Sequence, residues 1–211
     1  IQIKNINYIP YKSESEILKN LSFSIKKGEK IFIQGKTGSG KSTLLNIISG
    51  FLNPTTGSIL VDNIDINKNI IGWQENISYV EQKVFLFKDN LINNITMLEN
   101  ENKLNESLLS QIIKICHLEK LYDKRKNQIF DEDGFTVSGG EKQRIGLARA
   151  IYKNREVLIL DEATNAINNE MEKLIFEKLF DLMKNKTIIC VSHNLDNIKK
   201  FDKVIDIDKF S

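Results

Sequence analysis

Three short stretches of this chain hold residue types that could act together on a phosphate. Gly35-Lys36-Thr37-Gly38-Ser39-Gly40-Lys41-Ser42, with Thr43 next, combines small flexible residues with a lysine and hydroxyls. Glycines let the backbone wrap closely, so that N–H groups can point at phosphate oxygens. Lys41 would supply a mobile positive charge for the β- and γ-phosphates, and the Ser42 hydroxyl could ligate Mg²⁺. The second stretch is the carboxylate pair Asp161-Glu162. Asp161 suits the shell of a bound Mg²⁺, and Glu162 suits polarising a water in line with the γ-phosphate. Phosphoryl transfer is mostly positioning and charge stabilisation, so these few groups could suffice. The third is Ser138-Gly139-Gly140-Glu141. It opens a helical pattern and so forms a second anion-binding N-terminus. One chain rarely needs two such cradles for one nucleotide.

The elements that must hold these residues are readable from periodicity. Lys30-Ile31-Phe32-Ile33-Gln34 reads as a strand that runs into the glycine-rich turn. A helix follows, with apolar residues Leu44, Leu45, Ile47, Ile48 and Phe51. Strand, turn and helix together give the P-loop pattern its expected context. Val157-Leu158-Ile159-Leu160 is a continuous apolar run, the mark of a strand buried on both faces. It delivers Asp161 and Glu162 to the C-terminal end of a strand, where open α/β sheets bind ligands. Thr187 to Ser192 is another such run, and Val204 to Ile207 reads as the last strand. Between Asn168 and Asn185 an amphipathic helix puts Met171, Leu174, Ile175, Leu179, Leu182 and Met183 near one face. From about Leu91 to Ile151 the period is mostly helical. Leu108, Leu109, Ile112, Ile113, Cys116 and Leu118 form one helix, and Ile145, Leu147, Ala148 and Ile151 another. The chain thus reads as one α/β domain over residues 1–211, a P-loop NTPase core with a mixed sheet, carrying an inserted helical subdomain at about 91–151.

Composition narrows the partners. The chain has 211 residues, ample for a hydrophobic core, and a formal net charge of +2. Its Lys and Arg are scattered and balanced by Asp and Glu, so charge makes no case for nucleic acid. Cys116 and Cys190 are far apart and lack metal-ligand spacing. They point to a reducing compartment without a disulfide framework. No apolar run approaches the ~18 residues that span a bilayer.

Val137-Ser138-Gly139-Gly140-Glu141-Lys142-Gln143-Arg144 names a family. It resembles the signature sequence of ABC ATPases, usually Leu-Ser-Gly-Gly-Gln, here with Glu141 in place of Gln. Its order after the P-loop and before Asp161-Glu162 fits that family, and the resemblance covers nearly the whole chain. The resemblance implies ATP and Mg²⁺ as ligands and a head-to-tail dimer with a second nucleotide-binding domain. In that dimer each ATP lies between the P-loop of one domain and Ser138 and Gly140 of the other. It further implies roles for Gln82, in Tyr79-Val80-Glu81-Gln82, as the Q-loop glutamine near Mg²⁺ and water. His193, in Val191-Ser192-His193-Asn194, matches the switch histidine that contacts the γ-phosphate. Tyr11 matches the aromatic that stacks on adenine, with Tyr8 as its competitor. The usual Asp of the loop after Glu162 is Asn168 here.

Two further stretches resemble exporters within the family. They are Phe85-Leu86-Phe87 through Ile95, after the Q-loop, and Phe130-Asp131-Glu132-Asp133-Gly134, before the signature. The resemblance implies a transmembrane domain, expected upstream of Ile1, and a place on the cytoplasmic face of the cell membrane. The transported substrate would be a lipid-linked oligosaccharide, a peptide or a drug. The rival is a soluble ABC-type ATPase not fused to a membrane domain. DNA-repair relatives carry very long insertions between P-loop and signature, whereas that gap is roughly 100 residues here.

Overall fold

The structure, a computed structural model, describes residues 1–97, 104–125, 128–130 and 137–210. The chain opens with strands β1 (Gln2–Tyr8), β2 (Leu18–Ser24) and β3 (Lys30–Gln34), then helix α1 (Lys41–Ile48). Strands β4 (Thr56–Val61) and β5 (Ile64–Asp65), the short helix α2 (Ile70–Gln74) and β6 (Ile77–Val80) follow. Four helices come next: α3 (Leu91–Thr96), α4 (Glu106–Ile115), α5 (Glu119–Arg125) and α6 (Gly139–Tyr152). Strand β7 (Val157–Asp161), helix α7 (Asn169–Leu182), and strands β8 (Thr187–Val191) and β9 (Lys203–Asp206) complete the order.

The mixture of strand directions is divided between two sheets. One is antiparallel, in the order β2-β1-β4-β5, and the other is parallel, in the order β6-β7-β8-β3-β9. The parallel strands are the continuous apolar runs of the sequence. Every residue of β7 and β8 is buried, because one face packs against α6 and α7 and the other against α1 and the antiparallel sheet. Their register pairs Val80 with Leu160, Asp161 with Val191 and Gln34 with Asp206. All five strands therefore end on one side. The segments carrying the P-loop, Gln82, Glu162 and His193 leave the sheet at that common edge.

The helices differ in detail from their sequence reading. α1 buries Leu44, Leu45, Ile47 and Ile48 but stops at Ile48, and Phe51 lies beyond it, 59% exposed. α4 ends at Ile115, so Cys116 and Leu118 are buried in the turn after it. On α7 the inward face is Glu172, Ile175, Phe176, Leu179 and then Met183, while Leu174 and Leu182 face outward. Phe176 and Phe180 pack edge-on to Phe201, with ring centroids 5.7 and 5.1 Å away, and Phe32 meets the same ring at 5.2 Å. Each such buried ring contributes about 1.5–3 kcal/mol and pins α7 to the sheet. The last strand ends at Asp206, and Ile207 is buried in the 3₁₀ turn that follows.

Candidate active site

Between β3 and α1 the chain must turn without a regular helix start. Gly40 caps α1 with φ 92°, and a Cβ there would lie 2.5 Å from Ile17 Cγ2. Only glycine fits both the left-handed backbone and the space. Lys41 is buried and folds back, its ammonium donating to the carbonyls of Gly35 at 2.9 Å and Lys36 at 2.7 Å. Lys36 N–H donates to the carboxylate of Asp208 at 3.1 Å, which braces the loop from the C-terminal side. The Ser39 hydroxyl oxygen is buried and has no hydrogen-bond partner among the described residues. Buried polar atoms are nearly always paired, so this orphan inside a glycine loop fits a loop built to receive anionic oxygens. Thr37 and Gly38 lie exposed at the tip, and Thr43 sits in the first turn of α1.

Asp161 ends β7 facing this loop. It accepts hydrogen bonds from the Ser42 hydroxyl at 3.0 Å and from the Tyr79 hydroxyl at 3.0 Å. Burial raises its pKa, against the pull of those two hydrogen bonds, and the neighbouring charge of Glu162 adds to the rise. Burial and Asp161 likewise push the Tyr79 phenol upward, so it stays a donor. Tyr79 escaped the sequence reading as a site residue. Its only signal there is a place three residues before Gln82 on a strand.

Glu162 follows in a left-handed conformation, φ 52°, which turns its side chain out of the sheet edge. One carboxylate oxygen accepts from Gln82 Nε2 at 2.8 Å and from Asn165 Nδ2 at 2.9 Å. The other lies 2.9 Å from His193 Nε2. The structure thus brings together Gln82, Glu162 and His193, which arrive from three different strands. Asn165, three residues after Glu162, is a further partner that sequence reading does not single out.

Ser138 caps α6, and with Glu141 it forms a capping box. Ser138 N–H donates to Glu141 Oε2 at 2.7 Å, and Glu141 N–H donates to Ser138 Oγ at 3.2 Å. Partial burial works against ionisation of Glu141. The hydrogen bonds from Ser138 and the charges of Arg144 and Arg125 outweigh it and hold the carboxyl below the usual range. The Glu that replaces the usual Gln therefore serves the helix start. Among the described residues no hydrogen bond joins the segment 138–141 to the P-loop of the same chain. α6 instead touches the loop after Glu162. Gln143 Oε1 accepts from Ala166 N–H at 2.7 Å, and a Cβ on Gly140 would lie 2.7 Å from Ala166 O. Asn168, in place of the usual Asp, caps α7 by accepting from Met171 N–H at 2.9 Å. Asn and Asp cap helices equally well, so this substitution leaves the helix start intact.

Tyr11 sits in the turn after β1 and is 90% exposed, whereas Tyr8 lies in β1 and packs against the core. Of the loop read as Phe130 to Gly134, residues 131–134 lie outside the described residues.

Comparison with known proteins bears on this geometry. A family model described as "ABC transporter" matches residues 18–165. An "ATP-dependent lipid A-core flippase" of Vibrio parahaemolyticus is 35% identical over 99% of this chain and 36% of its own length. The flippase of the same description from Pseudoalteromonas translucida is 37% identical over 100% of this chain and 37% of its own. A solved structure of a bacterial Atm1-family ABC exporter with ATP bound superposes with a TM-score of 0.90 at 28% identity, over 99% of this chain and 37% of that one. The chain spans a little over a third of the length of these relatives. The phosphate loop, the carboxylate pair and the Ser-Gly-Gly helix start stand on the ABC ATPase fold, and the chain belongs to the ABC transporter family.

Proposed function

We propose that this chain is the ATP-hydrolysing motor domain of an ABC exporter, and that two such domains close on ATP to drive transport across a membrane. The observation that carries the reading is the convergence on Glu162. Gln82, Asn165 and His193 meet its carboxylate one residue beyond the Asp161–Ser42 pair. In this reading the amides of residues 38–43 and Lys41 hold the phosphates, and Tyr11 stacks on adenine. Ser42, Gln82 and Asp161 form an all-oxygen donor set of the kind that suits Mg²⁺. When bound there, that ion would offset the charge of the β- and γ-phosphates. Glu162 takes a proton from the attacking water, and Gln82 orients both. His193 donates toward the γ-phosphate as charge develops, from a position set by its contact with Glu162. Ser138, Gly139 and Gly140 complete the site of the opposing domain.

The partners proposed are a second nucleotide-binding domain and a transmembrane domain, with this domain on the cytoplasmic side of the membrane. The exporter reading is favoured over a free-standing soluble subunit, because flippases and an Atm1-family exporter both match 99% of this chain. The flippases' description, naming lipid A-core, points within the candidate cargoes to a lipid-linked one, and choice of cargo falls to the membrane domain.

The test is ATP turnover beside ATP binding. Glu162→Gln should lose turnover by roughly a hundredfold or more while still binding ATP. Lys41→Ala should lose both. Equal turnover in wild type and Glu162→Gln would remove Glu162 from its role.

A further inference from the structure

Glu172 is 2% exposed on the inner face of α7, and its described partners are all neutral. One carboxylate oxygen accepts from the Thr164 hydroxyl at 2.5 Å. The other accepts from Asn197 Nδ2 at 3.1 Å and from Asn194 Nδ2. Thr164 lies two residues after Glu162, and Asn194 directly follows His193. A single buried carboxylate therefore ties the loop that carries the acid to the loop that carries the imidazole.

The position of this tie gives it meaning. β7 and β8 are held in register as far as Asp161 and Val191, and one more backbone bond runs from Glu162 N–H to Val191 O at 2.9 Å. Beyond that the two loops leave the sheet. The His193 side chain is 51% exposed, so packing does little to hold its ring near Glu162. Beyond the Glu162–His193 contact itself, Glu172 is a further link between the loops. A buried carboxylate is expensive unless every oxygen is hydrogen-bonded, and an apolar residue would have secured α7 more simply, as Ile175 and Phe176 do beside it. We propose that Glu172 is a positioning residue for ATP hydrolysis: it sets the spacing between Glu162 and His193 by clamping both of their loops. The inference rests on the roles assigned to Glu162 and His193 above. A shift of about 1 Å in either loop is enough to slow chemistry by orders of magnitude without weakening substrate binding.

The experiment is a double-mutant cycle in the full native polypeptide, reading kcat and KM for ATP and the fraction folded. Glu172→Met keeps the length but removes both acceptor oxygens, so the tie to Thr164, Asn194 and Asn197 is lost. It should lower kcat by roughly tenfold or more, with KM within about threefold. In a His193→Ala background the same substitution should lower kcat by less than about twofold, because the geometry it protects is already gone. Equal fold-losses in both backgrounds would overturn the inference and leave the reading of His193 standing. Unchanged kcat per folded Glu172→Met molecule would overturn it too. Wild-type turnover in His193→Ala would overturn the reading of His193, and this inference with it. Should Glu172→Met fail to fold, Asn194→Ala removes one donor from a half-buried loop and enters the same cycle. A kcat loss that shrinks in the His193→Ala background would again support the clamp, and an equal loss in both would overturn it.

Discussion

His193 Nε2 lies 2.9 Å from Glu162 Oε1, although the two residues come from different strands and stand 31 positions apart in a chain of 211. Neither residue belongs to a regular element. Glu162 leaves β7 at φ 52°, and His193 leaves β8 after Ser192. Their meeting depends on parallel register, which sets Asp161 beside Val191 and so launches both loops from one point. The contact is a product of topology, and its chemistry depends on the loops holding their course beyond the sheet.

The two tyrosines near the N-terminus should divide between stability and binding. Tyr11→Ala removes a side chain that is 90% exposed, so the melting temperature should not move. ATP affinity should fall by about 1–3 kcal/mol, the usual worth of stacking an aromatic on a base. Tyr11→Trp should restore it. Tyr8→Ala should do the opposite, lowering stability with little change in affinity per folded molecule. Isothermal titration beside thermal unfolding separates the two. Weaker binding in Tyr8→Ala alone would transfer the stacking role.

Much of this site was legible in the residues themselves, because its chemistry is local. The P-loop announces itself through glycine backbone freedom beside a lysine and a serine. The Asp161-Glu162 pair announces itself by following an apolar run. Glu172, Tyr79 and Asn165 were not legible in the same way. Each acts through a partner brought close by the fold: Tyr79 reaches Asp161 across adjacent strands, and Glu172 reaches loops from two others. Helical periodicity misplaced part of α7 for the same reason. Counting apolar residues put Leu174 and Leu182 inside, yet the inner face holds a carboxylate that three donors satisfy. Hydropathy cannot anticipate that. The helix read to run as far as Phe51 stops at Ile48, with Gly50 at φ 72° just beyond.

The raised pKa of Asp161 gives a pH signature of known sign. Burial, with the charge of Glu162, holds its proton on above the ordinary aspartate value of 3.8 in spite of Ser42 and Tyr79. The folded state then keeps a proton that the unfolded chain has lost. Stability contributed at this site should fall as pH rises from 3.8 through the raised value, and level off above it. Other carboxyls, such as Glu141, slope the opposite way, so the readout is the difference between wild type and Asp161→Asn. Denaturant unfolding between about pH 4 and 7 should show that difference shifting against wild type with rising pH. A flat difference would mean that Asp161 titrates alike in the folded and unfolded chain.

Lys30 should prove a keystone far from any nucleotide. It is 6% exposed, and its ammonium donates to the carbonyls of Gly28, Met183, Lys184 and Lys186 at 2.7 to 3.1 Å. A cation there meets the negative end of α7 as well as the carbonyls. Lys30→Met keeps the length and strands those acceptors, for a loss of about 2–3 kcal/mol. In a domain of this size that is roughly 5–10 °C in melting temperature. Nucleotide affinity per folded molecule should hold, since Lys30 sits at the opposite end of β3 from the P-loop. A melting temperature within a degree or so of wild type would mean that water replaces the ammonium.

The two signature glycines should differ although they are neighbours. A Cβ on Gly140 would stand 2.7 Å from the backbone oxygen of Ala166, which cannot swing aside as a side chain could. A Cβ on Gly139 would meet only the Ala166 methyl at 3.6 Å, an ordinary contact. Gly140→Ala must push α6 away from the loop after Glu162 and stretch the Gln143–Ala166 bond that ties them. It should destabilise by about 1–3 kcal/mol, the range for overpacking. Gly139→Ala should be neutral or slightly stabilising, as Ala replaces Gly in a helix. Thermal unfolding without nucleotide tests this before any partner is involved. Single-turnover hydrolysis then asks whether the displaced loop carries Glu162 out of place. Matched melting temperatures for the two variants would mean that the loop gives way freely. Its course would then be set by the Glu172 clamp on the far side.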